Sequence, residues 1–182
     1  NRPNIILSDT VSSPGTRPRL LGIEPHPVHK ESGRLYYRDE ALNVTRSDYF
    51  PAYCGRPIVF YLETPTEAQL RDKSKTLGKL NLIATMFVDN EYISVNVEPE
   101  FQPGLSNIPI CLGASNLIGA NVFRSNFLVH NFKIYKVLLD DSTKQQHTKD
   151  PNILAANTTS SFFDKDLQYY APLGADLKED QP

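Results

Sequence analysis

Histidine and glutamate side chains between residues 26 and 31 are the nearest approach of this sequence to a metal site. The segment His26-x-x-His29-x-Glu31 contains ligand types that bind zinc. Pro25 and Pro27 disfavour the helix that would place both imidazoles on one face, and in an extended segment the side chains diverge. A zinc ion would need a further ligand from elsewhere in the chain. We therefore expect no metal and no other cofactor.

Covalent catalysis would pair one of the cysteines, Cys54 or Cys111, with a histidine, and no spacing selects such a pair. The adjacent carboxylates Asp140 and Asp141 would point apart on a strand. The sequence has no Gly-rich phosphate loop and no G-x-S-x-G, C-x-x-C or H-E-x-x-H motif. We expect a protein that is not an enzyme, because a hydrolase would need a metal or nucleophile that these patterns do not reveal.

Two features bear on the compartment of the protein. Cys54 and Cys111 could form one disulfide or remain two buried thiols. Asn43 and Asn157 each begin an N-x-T glycosylation pattern, which favours an extracellular or virion-surface location over an intracellular one.

The chain has 182 residues, with 19 basic and 21 acidic side chains and a net charge of -2. This balance argues against a nucleic-acid-binding surface. The sequence contains no apolar run long enough to predict a membrane span. The first residues, Asn1 to Asn4, do not resemble a signal peptide and lack an initiator methionine, so we expect a processed or excised piece of a longer protein.

Strand-like patterns dominate the middle of the chain. Residues 92–98 alternate between apolar and polar side chains, as a strand with one wet face does. Residues 80–88 are apolar on both sides, which predicts a strand covered on both faces. Asp89-Asn90-Glu91 between them predicts a hairpin. Further strands are predicted at residues 5–7, 35–38, 58–62 and 127–139.

These patterns predict an all-β fold, either an antiparallel β-sandwich or a jelly roll, with one short helix near residues 65–75. Thr64 is the expected N-cap of that helix. The predicted organisation is a Pro-rich arm (1–33), a sandwich core (34–139), a C-terminal extension packed on the core (140–175) and a frayed tail (176–182).

Residues 43–57 are predicted to form a loop rich in aromatic side chains. Rigid aromatic rings in a loop suit ligand contact, although they also suit the end of a core. A second polar connection runs from Gly113 to Arg124. The candidate ligand-binding residues in these two segments are Tyr49, Phe50, Tyr53, Arg56, Asn116 and Asn121.

Residues 82–141 resemble the C-terminal half of laminin-G or concanavalin-like lectin domains. The features that carry the resemblance are Phe87-Val88-Asp89-Asn90, residues 111–115 and Phe127-Leu128-Val129-His130-Asn131-Phe132-Lys133-Ile134-Tyr135. The resemblance implies a jelly-roll sandwich that binds glycans or proteins through its loops. Residues 112–115 and 129–134 also resemble the forkhead-associated domain, which would imply phosphopeptide binding.

The favoured hypothesis is a recognition module that binds a protein or a glycan through loops of a β-sandwich. The alternative is a structural or assembly protein, such as a capsid-like or scaffold domain, whose arm and tail clasp neighbouring copies in a homo-oligomer. A phosphopeptide-binding domain is a further alternative.

Overall fold

The computed structural model describes residues 4–9, 19–52, 56–64, 80–99, 110–112, 114–117, 120–124, 129–150 and 167–171. The chain forms two compact units, Asn1–Asn126 and Phe127–Pro182. The described strands of the first unit are β1 (Asn4–Asp9), β2 (Leu20–Pro25), β3 (Ser32–Arg38), β4 (Val44–Pro51), β5 (Val59–Glu63), β6 (Asn81–Val88), β7 (Glu91–Val97), β8 (Ile110–Leu112), β9 (Ala114–Leu117) and β10 (Ala120–Arg124).

The first unit contains two larger antiparallel sheets. One has the strand order β4-β3-β2-β1-β8 and the other has the order β5-β6-β7. Strands β9 and β10 form a separate hairpin. Neighbours in sequence are also antiparallel neighbours in each sheet from β1 to β4 and from β5 to β7, so such pairs build most of the described part of the unit.

A hydrophobic core joins the two larger sheets. Its buried side chains come from β2, β3 and β4 on one side and from the segment 80–97 on the other: Leu21, Leu35, Tyr37, Phe50, Leu80, Leu82, Ala84, Met86 and Val97. The predicted all-β fold is therefore confirmed, and two antiparallel sheets packed on a shared core are compatible with a sandwich.

The hairpin between β6 and β7 forms where the sequence predicts it. Asp89 and Asn90 have φ angles of 50° and 67°, the two left-handed residues that match the twist of a tight hairpin. In β7, Val97 is buried while Ser94 and Asn96 are exposed. In β6, consecutive residues from Leu82 to Met86 are buried, which confirms the expected cover on both faces.

The second unit is smaller. Its described elements are β11 (Phe132–Tyr135), the helix α1 (Asp141–Lys149) and β12 (Leu167–Ala171), and β11 pairs antiparallel with β12. Asp140 caps the helix, since its side chain accepts a hydrogen bond of 2.7 Å from the backbone N–H of Thr143. No helix in the described ranges is long and apolar enough to cross a membrane.

Several elements differ from the sequence-based expectation. Strand β1 lies between β2 and β8, and β2 lies between β1 and β3, so most of the described part of the expected Pro-rich arm is sheet. The chain divides after residue 126 rather than after residue 139. Of the strand expected over 127–139, the structure describes residues 129–139, and among these only Phe132–Tyr135 is strand. Asn131, immediately before it, adopts a left-handed φ of 53°.

Residues 44–51 form β4 rather than part of a loop. Its exposed polar residues and Pro51 mimic a loop composition, yet they suit an edge strand whose outer face meets water. Helix α1 lies in a segment that was expected to be a polar extension. The helix predicted near residues 65–75 lies outside the described residues.

Candidate functional site

Three neighbouring strands bring polar and aromatic side chains together on the face of the larger sheet that points away from the core. In the β2–β3–β4 register, Glu24 lies beside Arg34, and Arg34 lies beside Tyr49. The next row on the same face pairs Tyr36 with Arg46. Because side chains alternate along a strand, these residues lie on the face opposite the core, where Tyr36 is itself buried in a small cluster with Leu20. We call Glu24, His26, Arg34, Arg46 and Tyr49 the Tyr49 surface.

One carboxylate holds both guanidinium groups of this surface. Arg34 Nη2 and Nε lie 2.6 and 2.7 Å from Glu24 Oε2. Arg46 Nε lies 2.9 Å from Glu24 Oε2 and Arg46 Nη2 lies 3.3 Å from Glu24 Oε1. The hydrogen bond from Arg46, followed by that from Arg34, holds the pKa of Glu24 below its usual value despite partial burial. The same bond to Glu24 raises the pKa of Arg46.

Aromatic contacts fix the Tyr49 ring. Its centroid lies 4.4 Å from that of His26, and the guanidinium carbon of Arg34 lies 4.8 Å from the Tyr49 centroid. Arg46 similarly lies 5.5 Å from the ring of Tyr36. The contacts with His26 and Arg34 hold the Tyr49 ring in position. Because the residue is 39% exposed, a ligand can still reach the ring.

The β2–β3 turn positions His26. Its Nδ1 accepts hydrogen bonds from the backbone N–H groups of Val28 and His29, at 3.1 and 3.0 Å. The backbone N–H of His26 donates to the Ser32 carbonyl at 2.8 Å, which closes the turn. Since Nδ1 is an acceptor here, the ring proton of a neutral His26 belongs on Nε2.

Gly33 allows this turn to lie close to β2. A Cβ at this position would lie 2.7 Å from Ile23 Cγ2 and 3.3 Å from the Glu24 carbonyl oxygen. Real Cβ atoms do not approach another carbon that closely, so a side chain here would force Ile23 or the backbone around it to shift.

A β-bulge in β4 aims Tyr49 at its partners. Arg34 and Tyr36 of β3 are opposite Tyr49 and Arg46 of β4, so two β4 residues face the single residue Leu35. The backbone N–H of Leu35 donates to Ser47 Oγ at 2.9 Å, and Ser47 Oγ donates to the Asp48 carbonyl at 2.8 Å. The Ser47 hydroxyl therefore replaces ladder bonds that the extra residue disrupts.

The predicted site residues do not all meet at this surface. Tyr49 is part of it, whereas Phe50 points to the opposite face and is 3% exposed in the core. Phe50 was expected to contact a ligand, but in the structure it packs in the core. The reason is that adjacent residues of a strand point to opposite faces. Arg56 is exposed in a separate segment. Asn116 and Asn121 lie on β9 and β10, and Tyr53 lies outside the described residues.

The other predicted positions fall in different regions. Asn43 is exposed in the β3–β4 turn, where its Nδ2 donates to Asp39 Oδ2 at 2.8 Å and its backbone N–H donates to Asp39 Oδ1 at 2.7 Å. Cys111 lies on β8, while Cys54 and Asn157 are outside the described residues.

The histidine pair of the β2–β3 turn is close in space. The ring centroids of His26 and His29 are 4.6 Å apart. Within the ranges that the structure describes, no three His, Cys, Asp or Glu side chains are placed to hold a metal ion. In this structure the two imidazoles contact each other, and that of His26 also contacts the Tyr49 ring.

One pattern in the sequence does indicate that the partners of Tyr49 share a face of the sheet. Gly22, Glu24, Arg34 and Tyr36 alternate with core residues along two strands, which would have placed the charged residues on a common outer face. The prolines around His26 obscured this pattern, because they suggested an extended arm.

Comparison of the chain with protein-family models, with curated proteins and with solved structures finds no match. Function is therefore inferred from the geometry of the described residues.

Proposed function

We propose that this protein is a non-enzymatic recognition module that binds a protein ligand through the Tyr49 surface. The observation that carries the proposal is a solvent-facing cluster in which two guanidinium groups and a tyrosine ring are held in fixed positions by one carboxylate and a structured turn. The three charged side chains are partly covered, at 17–38% exposure, and ion pairs near a surface usually contribute little to stability. Arginine and tyrosine are also the side chains enriched at the energetic centres of protein interfaces.

The charge balance favours an acidic ligand segment. Glu24 supplies one negative charge to the positive charges of Arg34 and Arg46, so the three side chains carry a net charge of +1. Each guanidinium has five N–H donors in a planar fork, and Glu24 occupies only part of each fork. A ligand carboxylate can engage donors of the exposed Arg46 without breaking its contact with Glu24.

The ring contacts favour a protein ligand over a glycan. Sugar rings bind tyrosine by stacking on an open aromatic face. In this structure Arg34 lies over the Tyr49 ring and His26 lies against it. The ring edge and hydroxyl that remain suit side-chain contact and hydrogen bonding at a protein interface.

Recognition is expected through side chains rather than by adding a strand to the sheet. Strand β4 is at an edge of the described sheet, where a partner strand could pair. However, it carries the bulge at Ser47 and Asp48, the charged Arg46, and Pro51. These features are the ones that protect edge strands from pairing.

A peptide array tests this proposal. Each Asp- or Glu-containing peptide is matched by a version with Asn or Gln, and hits are measured by fluorescence anisotropy with the intact chain. We expect binding to the acidic versions that weakens with added salt and falls by about tenfold or more in Tyr49→Ala and Arg46→Gln.

Tyr169→Ala is the matched control, because Tyr169 is also an exposed tyrosine, at 53%, and lies on β12 of the second unit. Equal binding of the amide peptides, or equal losses in Tyr49→Ala and Tyr169→Ala, would contradict the proposal. If the chain binds to a glycan array and to none of the acidic peptides, the ligand is a glycan and the proposal of an acidic peptide ligand is wrong.

A further inference from the structure

A side chain that can change its charge holds the β2–β3 turn in shape. His26 Nδ1 accepts hydrogen bonds from the backbone N–H groups of Val28 and His29, at 3.1 and 3.0 Å. Pro27, which follows His26, has no N–H to donate. These two hydrogen bonds therefore depend on the lone pair of a single ring nitrogen.

That lone pair is present only while Nδ1 carries no proton. Histidine side chains gain a second ring proton in the range from about pH 8 to about pH 5, and both ring nitrogens of the cation are donors. In the cation the Nδ1 proton would point at two backbone N–H groups that also need an acceptor. The closed turn therefore binds one proton fewer than an open turn whose imidazole meets water, and a lower pH favours the open turn.

Titratable and charged side chains surround His26 in the turn and on the strands beside it. They are His29, Lys30 and Glu31 in the turn, Tyr49 on β4, Arg34 on β3 and Glu24 on β2. The ring centroids of His29 and Tyr49 lie 4.6 and 4.4 Å from that of His26. Because two protonated imidazoles would repel each other at this distance, the charge on His29 acts in the same direction as the loss of the Nδ1 bonds.

We propose that His26 is a pH switch for the Tyr49 surface, and that its protonation opens the β2–β3 turn and withdraws the imidazole from the Tyr49 ring. For its effect on binding, the inference rests on the function proposed above. A Tyr49 ring without this contact is no longer held in one position. The added positive charge would attract an acidic ligand, but salt screens such attraction at a surface. Acid therefore weakens the binding of acidic segments.

His26→Asn is the variant that separates the hydrogen bonds of the turn from the charge of the ring. The side-chain oxygen of Asn accepts hydrogen bonds from backbone N–H groups that follow it closely in sequence, and Asn does not titrate. His29→Gln is the matched control, because it removes the neighbouring imidazole and keeps the Nδ1 acceptor of His26.

NMR of the intact chain measures the turn without any ligand. At about pH 8 the imidazole 15N shifts should place the single ring proton of His26 on Nε2. Towards about pH 5 the ring should become protonated, and its NOE contacts with the Tyr49 ring should be lost, in the wild type and in His29→Gln. The Val28 amide signal should move together with the His26 ring signals, and it should stay in place in His26→Asn.

Four NMR results overturn the proposal. They are a ring proton on Nδ1 at about pH 8, a His26 ring that is still neutral at about pH 5, ring contacts that persist after protonation, and a Val28 signal that moves equally in His26→Asn.

Fluorescence anisotropy with a labelled hexaglutamate peptide measures the effect on binding. The Kd at about pH 5.5 is divided by the Kd at about pH 8 for each protein, which cancels the titration of the peptide and any effect of the substitution on affinity at the higher pH. We expect this ratio to be about fivefold larger for the wild type than for His26→Asn. An equal or smaller ratio in the wild type overturns the switch. Failure of the wild type to bind the peptide at about pH 8 counts against the proposed function instead, and the NMR results still decide whether the turn opens.

Discussion

The environment of a single buried histidine makes the second unit sensitive to pH. His147 contacts Tyr135 and is held in its neutral form in the folded chain, because protonation would place a charge in a desolvated site beside Lys133. In the unfolded chain the imidazole takes up a proton near its ordinary pKa of 6.5, whereas burial lowers this pKa to about 4 in the folded chain. The folded state therefore binds fewer protons than the unfolded state between these two pKa values.

We predict that this difference destabilises the folded chain as the pH falls from about 6.5 to about 4. The loss is absent above the unfolded pKa and complete below the folded one. His147→Gln should flatten this part of the profile by up to a few kcal/mol, measured as the free energy of unfolding against pH. His130→Gln, a change at an exposed histidine, is the matched variant. A slope that His147→Gln does not reduce would contradict the prediction.

At the level of individual residues, the sequence predicts a contact role for Tyr49 but not its neighbours. An aromatic residue near prolines predicts an exposed ring, whereas its contacts with His26 and Arg34 depend on strand register. Register is set by long-range pairing and by the bulge, neither of which leaves a local pattern. Phe50 shows the same limit, because composition alone does not reveal which of two adjacent aromatics faces the core.

At the level of elements, the β4 bulge depends on a side chain. The backbone N–H of Leu35 has the Ser47 hydroxyl as its partner, and Leu35 itself is fully buried. Removing that hydroxyl leaves a donor without its bond in a protected position.

We predict that Ser47→Ala destabilises the chain by about 1–3 kcal/mol, the usual penalty for an unsatisfied buried donor. The same change should weaken acidic-peptide binding, because the bulge aims Tyr49. Urea denaturation and the anisotropy assay measure the two effects. Ser94→Ala on the wet face of β7 is the matched control and should be neutral. Unchanged stability in Ser47→Ala would show that the bulge does not need its hydroxyl.

The elements also show where sequence patterns succeed and where they fail. The β6–β7 hairpin is predictable because its apolar runs and its Asp-Asn turn act locally. Helix α1 is not, since the residues it buries are Thr143, Lys144, His147 and Thr148 rather than an apolar stripe. Its N-cap, Asp140, is the one local signal for its start.

At the level of the whole molecule, the sandwich depends on the contact between its two larger sheets. Leu82 of β6 is 1% exposed and packs in the core with side chains of β2, β3 and β4. Its direct strand partner on β5, Leu62, is 40% exposed. The two leucines thus share a ladder position and differ in burial.

We predict that Leu82→Ala destabilises the intact chain by about 2–5 kcal/mol, through lost burial and a residual cavity. Leu62→Ala should cost less than about 1 kcal/mol, since its side chain already meets water. Equilibrium unfolding in urea gives both values. Similar costs for the two leucines would show that the sheets do not share the core described above.

The polar buried face of α1 has a consequence for the order of folding. A nine-residue segment with the sequence DSTKQQHTK has no apolar stripe and many residues of low helix propensity, so its nucleation in isolation is unfavourable. We expect the helix to form only after β11 and β12 have paired and provide a surface for it to pack on. In this unit the contact between strands distant in sequence would then form first, and the local helix between them last.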